Sequence, residues 1–152
     1  MGPTAPSRAI LACVREVRPP FSPEATTAEF AEVLKSYGLS RVTGDMYAGS
    51  WPSEQFAKYG IQYEPSSRNK SQIYNDALPL FNSGRCEILD IPRLGAQLCA
   101  LERRTARGGR SSVDHPPNGG RDDLANSVCG SLVLALNETA PTALQRAKIL
   151  CH

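Results

Sequence analysis

Two sets of carboxylates in this sequence stand where they could do chemistry. Asp45 follows Arg41-Val42-Thr43-Gly44, an apolar, β-branched run ending in glycine, and Tyr47-Ala48-Gly49 comes just after it. Asp122 and Asp123 stand behind Gly119-Gly120, where an apolar helical pattern begins. In parallel α/β sheets functional groups gather at the carboxyl ends of strands. Hard divalent cations take oxygen ligands, and Mg²⁺ is held by a few carboxylates that leave room for water and phosphate oxygens. Two such ions can clamp the attacking and leaving oxygens of a phosphodiester. A strand-end acid plus a helix-start acid pair is therefore material for metal-assisted phosphate chemistry. The same residues have plainer uses: Asp at a helix start caps free N–H groups and opposes the dipole, and Asp after a strand makes a turn.

The segment from Glu102 to Arg121 is the second candidate. It carries Arg103, Arg104, Arg107, Arg110 and Arg121 against a single Asp, with six glycines and prolines and no apolar periodicity. Guanidinium matches phosphate geometry, and a basic glycine-bearing loop suits a polyanion; the alternative is a solvated surface loop. Lys70 and Arg68 flank a predicted helix start and would add phosphate contacts. Tyr47, Trp51 and Tyr59 lie near Asp45, where they would stack on nucleotides or pack in a core. There is no P-loop and no G-x-G-x-x-G, so nothing supports an ATP or dinucleotide site in this chain. No G-x-S-x-G elbow for acyl chemistry is present either.

These groups belong to a chain of 152 residues with 41% hydrophobic and 21% charged content and a formal charge of +2. That is the make-up of one soluble globular domain, and +2 does not by itself advertise nucleic-acid binding. No apolar run approaches the ~18 residues of a membrane helix, and Met1 to Arg8 has no secretory h-region. The five cysteines form no C-x-x-C pair and read as small buried hydrophobes of a reducing cytosol. His115, in a Pro-rich turn, and the terminal His152 make no zinc site.

The positioning elements follow from periodicity and punctuation. Ala9–Val17 is predicted as a strand stopped by Pro19-Pro20. Ser22-Pro23-Glu24 opens a helix with Phe30, Val33, Leu34 and Tyr37 on one face, and Gly38 ends it. A strand over Leu39–Asp45, a helix from Trp51 to about Tyr59 and a strand at Ile61–Glu64 come next. A helix from Lys70 places Ile73, Ala77, Leu78 and Phe81 on one side, with Pro79 as a kink. Cys86–Leu89 reads as a strand, and the helix opened by Asp90-Ile91-Pro92 turns Leu94, Leu98 and Leu101 inward. Glu102–Arg121 is expected to be irregular. The helix from Asp122 buries Leu124, Ala125, Val128, Cys129, Leu132 and Leu136, and Leu144–Leu150 reads as a short last helix. Alternating strands and helices predict one compact α/β domain with a mostly parallel sheet.

Read in order, VREVRPPFSPE, GDMYAGSWPSEQF, GIQYEPS, LPLFNSGRCEILD, LERRTARGG and SVDHPPNGGRDDLANSV resemble the C-terminal nuclease domain of tailed-phage terminase large subunits. The resemblance runs from about Ala9 to Leu136. It implies an RNase H-like mixed sheet flanked by helices that cuts double-stranded DNA with Mg²⁺ or Mn²⁺ during viral DNA packaging. Residues 9–137 would be that domain, 1–8 a divergent N-terminal extension and 138–152 a tail. Matched position by position, Asp45 corresponds to the family's second acid, and Asp122 and Asp123 to its final pair. Arg121 stands where relatives often have His; it can be neither ligand nor proton acceptor.

The resemblance also sets a departure. The family's first metal-ligating Asp lies on a strand ahead of the one that here is Ala9–Val17, and MGPTAPSR contains no acid. The expectation is a fold lacking its first two strands, one ligand and the ATPase domain, hence a truncated nuclease with impaired or lost activity. Implied partners are double-stranded DNA and other terminase or portal proteins, in the cytoplasm of a bacterial host, from a phage or prophage. The rival reading is a non-catalytic remnant that binds DNA or packaging proteins; a third is a relic that folds poorly.

Overall fold

The computed structural model describes residues 7–105, 108–116, 121–137 and 147–148, the last two as backbone only. Along the chain run β1 (Ala9–Ile10), α1 (Pro23–Ser36), β2 (Arg41–Gly44), α2 (Trp51–Ala57), β3 (Gln62–Pro65), α3 (Lys70–Asn82), β4 (Cys86–Glu87), α4 (Pro92–Ala100), β5 (Glu102–Thr105), β6 (Ser111–Asp114), α5 (Asp123–Asn137) and β7 (Ala147–Lys148). They sort into two compact units interleaved in sequence, one within residues 14–69 plus 147–148, the other within 7–13 plus 70–137.

In the first unit, β2 lies between β3 and β7 in a three-stranded parallel sheet, with Val42 opposite both Tyr63 and Ala147. The predicted capping of α1 is present: Ser22 Oγ accepts from the Ala25 amide at 3.3 Å, with Pro23 and Glu24 in the first turn. Phe30, Ala31 and Leu34 of α1 pack on Val42, Phe56 and Ile61 to form the core. Tyr37, expected on the same face, is exposed because Gly38 ends the helix before its side chain reaches that core. Phe56 and Tyr63 stack with centroids 5.9 Å apart and planes 16° apart. A Cβ at Gly44 would collide with the Tyr63 phenol. Glycine is thus what lets that ring cross the end of β2, where its hydroxyl reaches the Asp45 carbonyl at 3.5 Å.

In the second unit α5 is the central element, with α3, α4 and β1 packed on it. Its Leu124, Ala125, Val128, Cys129, Leu132 and Val133 are buried, while Leu136 is only half-buried. On α3 the buried stripe is Ile73, Tyr74, Ala77 and Leu80, and Leu78 is 46% exposed. The predicted face was one position off because Tyr74 turns inward to a polar partner. On α4 Leu94 is buried with Gln97, whereas Leu98 and Leu101 are half-buried. The two-residue strands β1 and β4 pair in parallel, Ala9 with Cys86 and Ile10 with Glu87. Both are shorter than predicted: residues 11–17 and 88–89 join no ladder.

Two further expectations are corrected. Within the arginine-rich segment, residues 102–105 and 111–114 are not irregular: β5 and β6 form an antiparallel hairpin with Glu102 opposite Asp114 and Thr105 opposite Ser111. Gly108 (φ +105°) and Gly109 (φ +79°) take the left-handed backbone that its turn requires. Near the C-terminus, Ala147–Lys148 pair with Val42–Thr43 as a strand rather than a helix; the rest of 144–150 lies outside the described residues. Of the four described cysteines only Cys129 is buried; Cys13 and Cys86 are half-buried, Cys99 is exposed, and none of these four is in a disulfide.

Candidate functional site

Three elements of the second unit meet in a polar cluster. The end of β6 supplies Asp114 and, just beyond it, His115; the position before α5 supplies Asp122; the first turn of α3 supplies Lys70 and, one turn on, Tyr74. One ligand atom from each of Asp114, His115 and Asp122 lies within 4.8 Å of the other two. Asp122 is 3% exposed, and its carboxylate accepts from the buried Tyr74 hydroxyl at 2.7 Å and from Lys70 Nζ at 3.2 Å. Lys70 Nζ also donates to Asp114 Oδ1 at 3.1 Å. The Val113 amide donates to Ser71 Oγ at 2.9 Å, pinning the hairpin to the start of α3.

Sequence left Asp122 two uses, a helix cap or a ligand. The third amide of α5, that of Ala125, donates at 2.9 Å to Oε1 of Gln97, a buried residue of α4. The capping duty thus falls to another helix, and the Asp122 carboxylate is turned to Lys70 and Tyr74 instead. Gln97→Ala is expected to destabilise the protein by about 1–3 kcal/mol, because that amide would be left buried without its acceptor. Equilibrium urea unfolding checks this.

His115 is oriented from its far side. Nδ1 lies 2.9 Å from the Pro116 carbonyl. A carbonyl only accepts, so in the neutral ring Nδ1 carries the proton and Nε2 the lone pair. Nε2 is 3.8 Å from Asp114 Oδ1, which also accepts from the His115 amide at 2.8 Å. Imidazoles that ligate metals are commonly set in this way, the second ring nitrogen donating to a carbonyl. Two carboxylates and an oriented imidazole are a donor set that fits a divalent cation, and the imidazole favours a transition ion such as Mn²⁺ over Mg²⁺.

The charges reinforce one another. Burial alone would lower the Lys70 ammonium, but its hydrogen bond to Asp114 and the charge of Asp122 outweigh this and raise it. Desolvation would raise Asp114, yet the His115 amide and Lys70 together hold it below the usual carboxylate range. Burial, then the Asp122 hydrogen bond and charge, push the Tyr74 phenol far above its ordinary range, so it stays a donor. A depressed carboxylate stabilises above its unfolded pKa of about 4, and that gain is lost as pH falls through the folded value. A raised ammonium or phenol stabilises below its unfolded pKa of about 10, and the gain is lost as pH rises beyond it. Melting temperature should therefore fall below about pH 4 and above about pH 10, and Asp114→Asn should flatten the acid limb.

The other residues singled out from sequence are distributed as follows. Asp45 ends β2 in the other unit, half-buried; its Oδ1 accepts from the Tyr47 amide at 3.1 Å, the turn-making use of an aspartate. Asp123 is half-buried in the first turn of α5 and is not one of the three converging ligands. Arg103 lies on β5, with Nη2 3.5 Å from Asn75 Oδ1. Arg110 and Arg121 are exposed. The Arg104 side chain and Arg107 lie outside the described residues. Lys70 was expected at phosphate; the structure seats it on two carboxylates. Asp114 and His115 were missed. Their signal was the Gly108-Gly109 turn, which makes Ser111–Asp114 a returning strand and sets Asp114 at its carboxyl end.

The large terminase nuclease from thermophilic phage G20c superposes at TM-score 0.61, with 19% identity over 76% of this chain and 62% of that one. Its fold is the one found here. A structure of the same nuclease with bound magnesium matches at TM-score 0.58, with 19% identity over 70% of this chain and 58% of that one. The Thermus phage P74-26 large terminase nuclease domain matches at TM-score 0.63, with 16% identity over 79% and 63%. This chain thus spans about three fifths of the length of these nuclease domains. No protein-family model and no curated protein matches it. The mixed α/β, RNase H-like architecture expected from sequence is shown by these likenesses. Among the described residues no helix is long and apolar enough to cross a membrane.

Proposed function

We propose that this chain is a nuclease domain of a phage DNA-packaging terminase large subunit, cutting double-stranded DNA by metal-dependent phosphodiester hydrolysis. The observation that carries the reading is the convergence of Asp114, His115 and Asp122 at one point of a terminase-nuclease fold. Mg²⁺ or Mn²⁺ held there would supply positive charge against the phosphate oxygens of a strand. The chain's own residues do the positioning. Tyr74 fixes Asp122 from its buried side, the Pro116 carbonyl fixes the His115 ring, and Ser71 anchors the strand that carries Asp114. Arg103, Arg104, Arg107, Arg110 and Arg121 would meet the phosphate backbone. Asp45 and Asp123 keep the roles assigned by resemblance, as further catalytic and metal-binding acids. In this role the protein would work in the cytoplasm of an infected or lysogenic bacterium, beside other terminase and portal proteins.

The test is nicking of supercoiled plasmid by purified protein. Open-circular product is expected with Mn²⁺ or Mg²⁺ and none with EDTA. Nicking undiminished in Asp45→Asn and Asp123→Asn would remove those two residues from the site. Salt-sensitive DNA binding with no nicking under any metal would favour the non-catalytic remnant instead.

A further inference from the structure

We propose that Lys70 is a built-in counter-ion, its ammonium occupying the Asp114–Asp122 carboxylate pair, and that a divalent cation binds there only by displacing it. The inference rests on the metal reading above but concerns a residue which that reading does not use. Lys70 Nζ lies 3.1 Å from Asp114 Oδ1 and 3.2 Å from both Asp122 oxygens. An ammonium has three donors; two of these contacts are hydrogen bonds, to Asp114 Oδ1 and Asp122 Oδ1, and the third is an ion-pair contact with Asp122 Oδ2. They fall on the oxygens that a divalent ion would take, and two cations on one carboxylate pair repel each other.

The geometry also says which partner moves. The Asp122 side chain is 5% exposed and held by Tyr74 from within, so it cannot follow a retreating partner. The Lys70 side chain is 36% exposed, on a flexible four-carbon stem, and has an open path to solvent. It projects from the first turn of α3, where the helix dipole disfavours a cation. Among the described residues, the partners that hold its ammonium are the two carboxylates. A site competent only when the lysine is out has an apparent metal affinity equal to the intrinsic one multiplied by the fraction of time the lysine is out.

The test is Mn²⁺ affinity by titration calorimetry or electron paramagnetic resonance, on wild type, Lys70→Met and Lys70→Gln. Both variants should bind Mn²⁺ about tenfold more tightly. Should either variant melt non-cooperatively, wild type alone decides the matter through amine acetylation read by mass spectrometry. Saturating Mn²⁺ should speed labelling of Lys70 relative to the exposed Lys58. Equal or weaker Mn²⁺ binding in folded variants, or Lys70 labelling unchanged by bound Mn²⁺, overturns the displacement proposal and leaves the metal reading intact. Absence of Mn²⁺ binding in wild type and in both variants overturns both.

Discussion

Replacing Asp122 with asparagine is expected to abolish metal-dependent nicking while leaving the protein folded. Asparagine keeps the size of aspartate, and its amide oxygen still accepts from the Tyr74 hydroxyl, so the buried phenol keeps a partner. What goes is the charge. Of the three converging ligands Asp122 is the buried one. Loss of an outer-shell partner in metal enzymes typically costs roughly 10–100-fold; loss of this ligand should exceed that range. Plasmid nicking with Mn²⁺ measures it, and an unchanged melting curve separates chemistry from folding. Asp122→Leu should behave differently, because it removes the 2.7 Å carboxylate acceptor of the buried Tyr74 hydroxyl, leaving it the backbone carbonyl of residue 122 at 3.3 Å, and takes from Lys70 one of its two carboxylates. A buried group left without its partner costs about 1–3 kcal/mol, more if charged. Asp122→Asn nicking at the wild-type rate would end the case for this cluster as the nuclease centre.

Phe56→Ala should have the largest effect on stability. Phe56 is 1% exposed at the centre of the first unit's core, against Phe30, Leu34, Val42 and Ile61. Emptying such a site typically costs 3–5 kcal/mol, a large part of the roughly 5–15 kcal/mol that holds a domain together. The damage should also reach the strand end. Phe56 stacks on Tyr63, and Tyr63 bonds the Asp45 carbonyl, so losing Phe56 frees the ring that braces the Asp45 turn. Trp51, the only tryptophan, opens α2 in the same unit and reports its unfolding by fluorescence. In a urea titration the midpoint should move sharply down. A shift worth less than about 1 kcal/mol would mean the core can close over the gap.

Much of the secondary structure was legible because its signals are local. Ser22-Pro23-Glu24 and Gly38 bracket α1 because capping and chain reversal depend on neighbours in sequence. The same holds for the starts of α2 and α4, each with a proline in its first turn. The errors came where a partner distant in sequence decided. Tyr74 turned the buried stripe of α3 because its acceptor, Asp122, is 48 residues away. The arginine segment became a hairpin because Glu102 and Asp114 pair across a glycine turn that its charge had obscured.

For the site, residue type and order were readable along the chain: acids at a strand end and a helix start, arginines and a lysine, in an order that resembles terminase nucleases, but not Asp114 or His115. Which partner each of them meets was set by packing. A carboxylate at a helix start is a cap or a ligand depending on what meets the helix amides. Here Gln97, which carries no sequence signal of its own, meets one of them and leaves Asp122 to the cluster. Likewise Lys70 is a surface cation in sequence and an ion-paired one in space, because the β5–β6 hairpin and the start of α5 bring two carboxylates to within about hydrogen-bond length of it. Charge and donor type are properties of single residues, but which lone pair faces which proton is fixed only when distant elements pack.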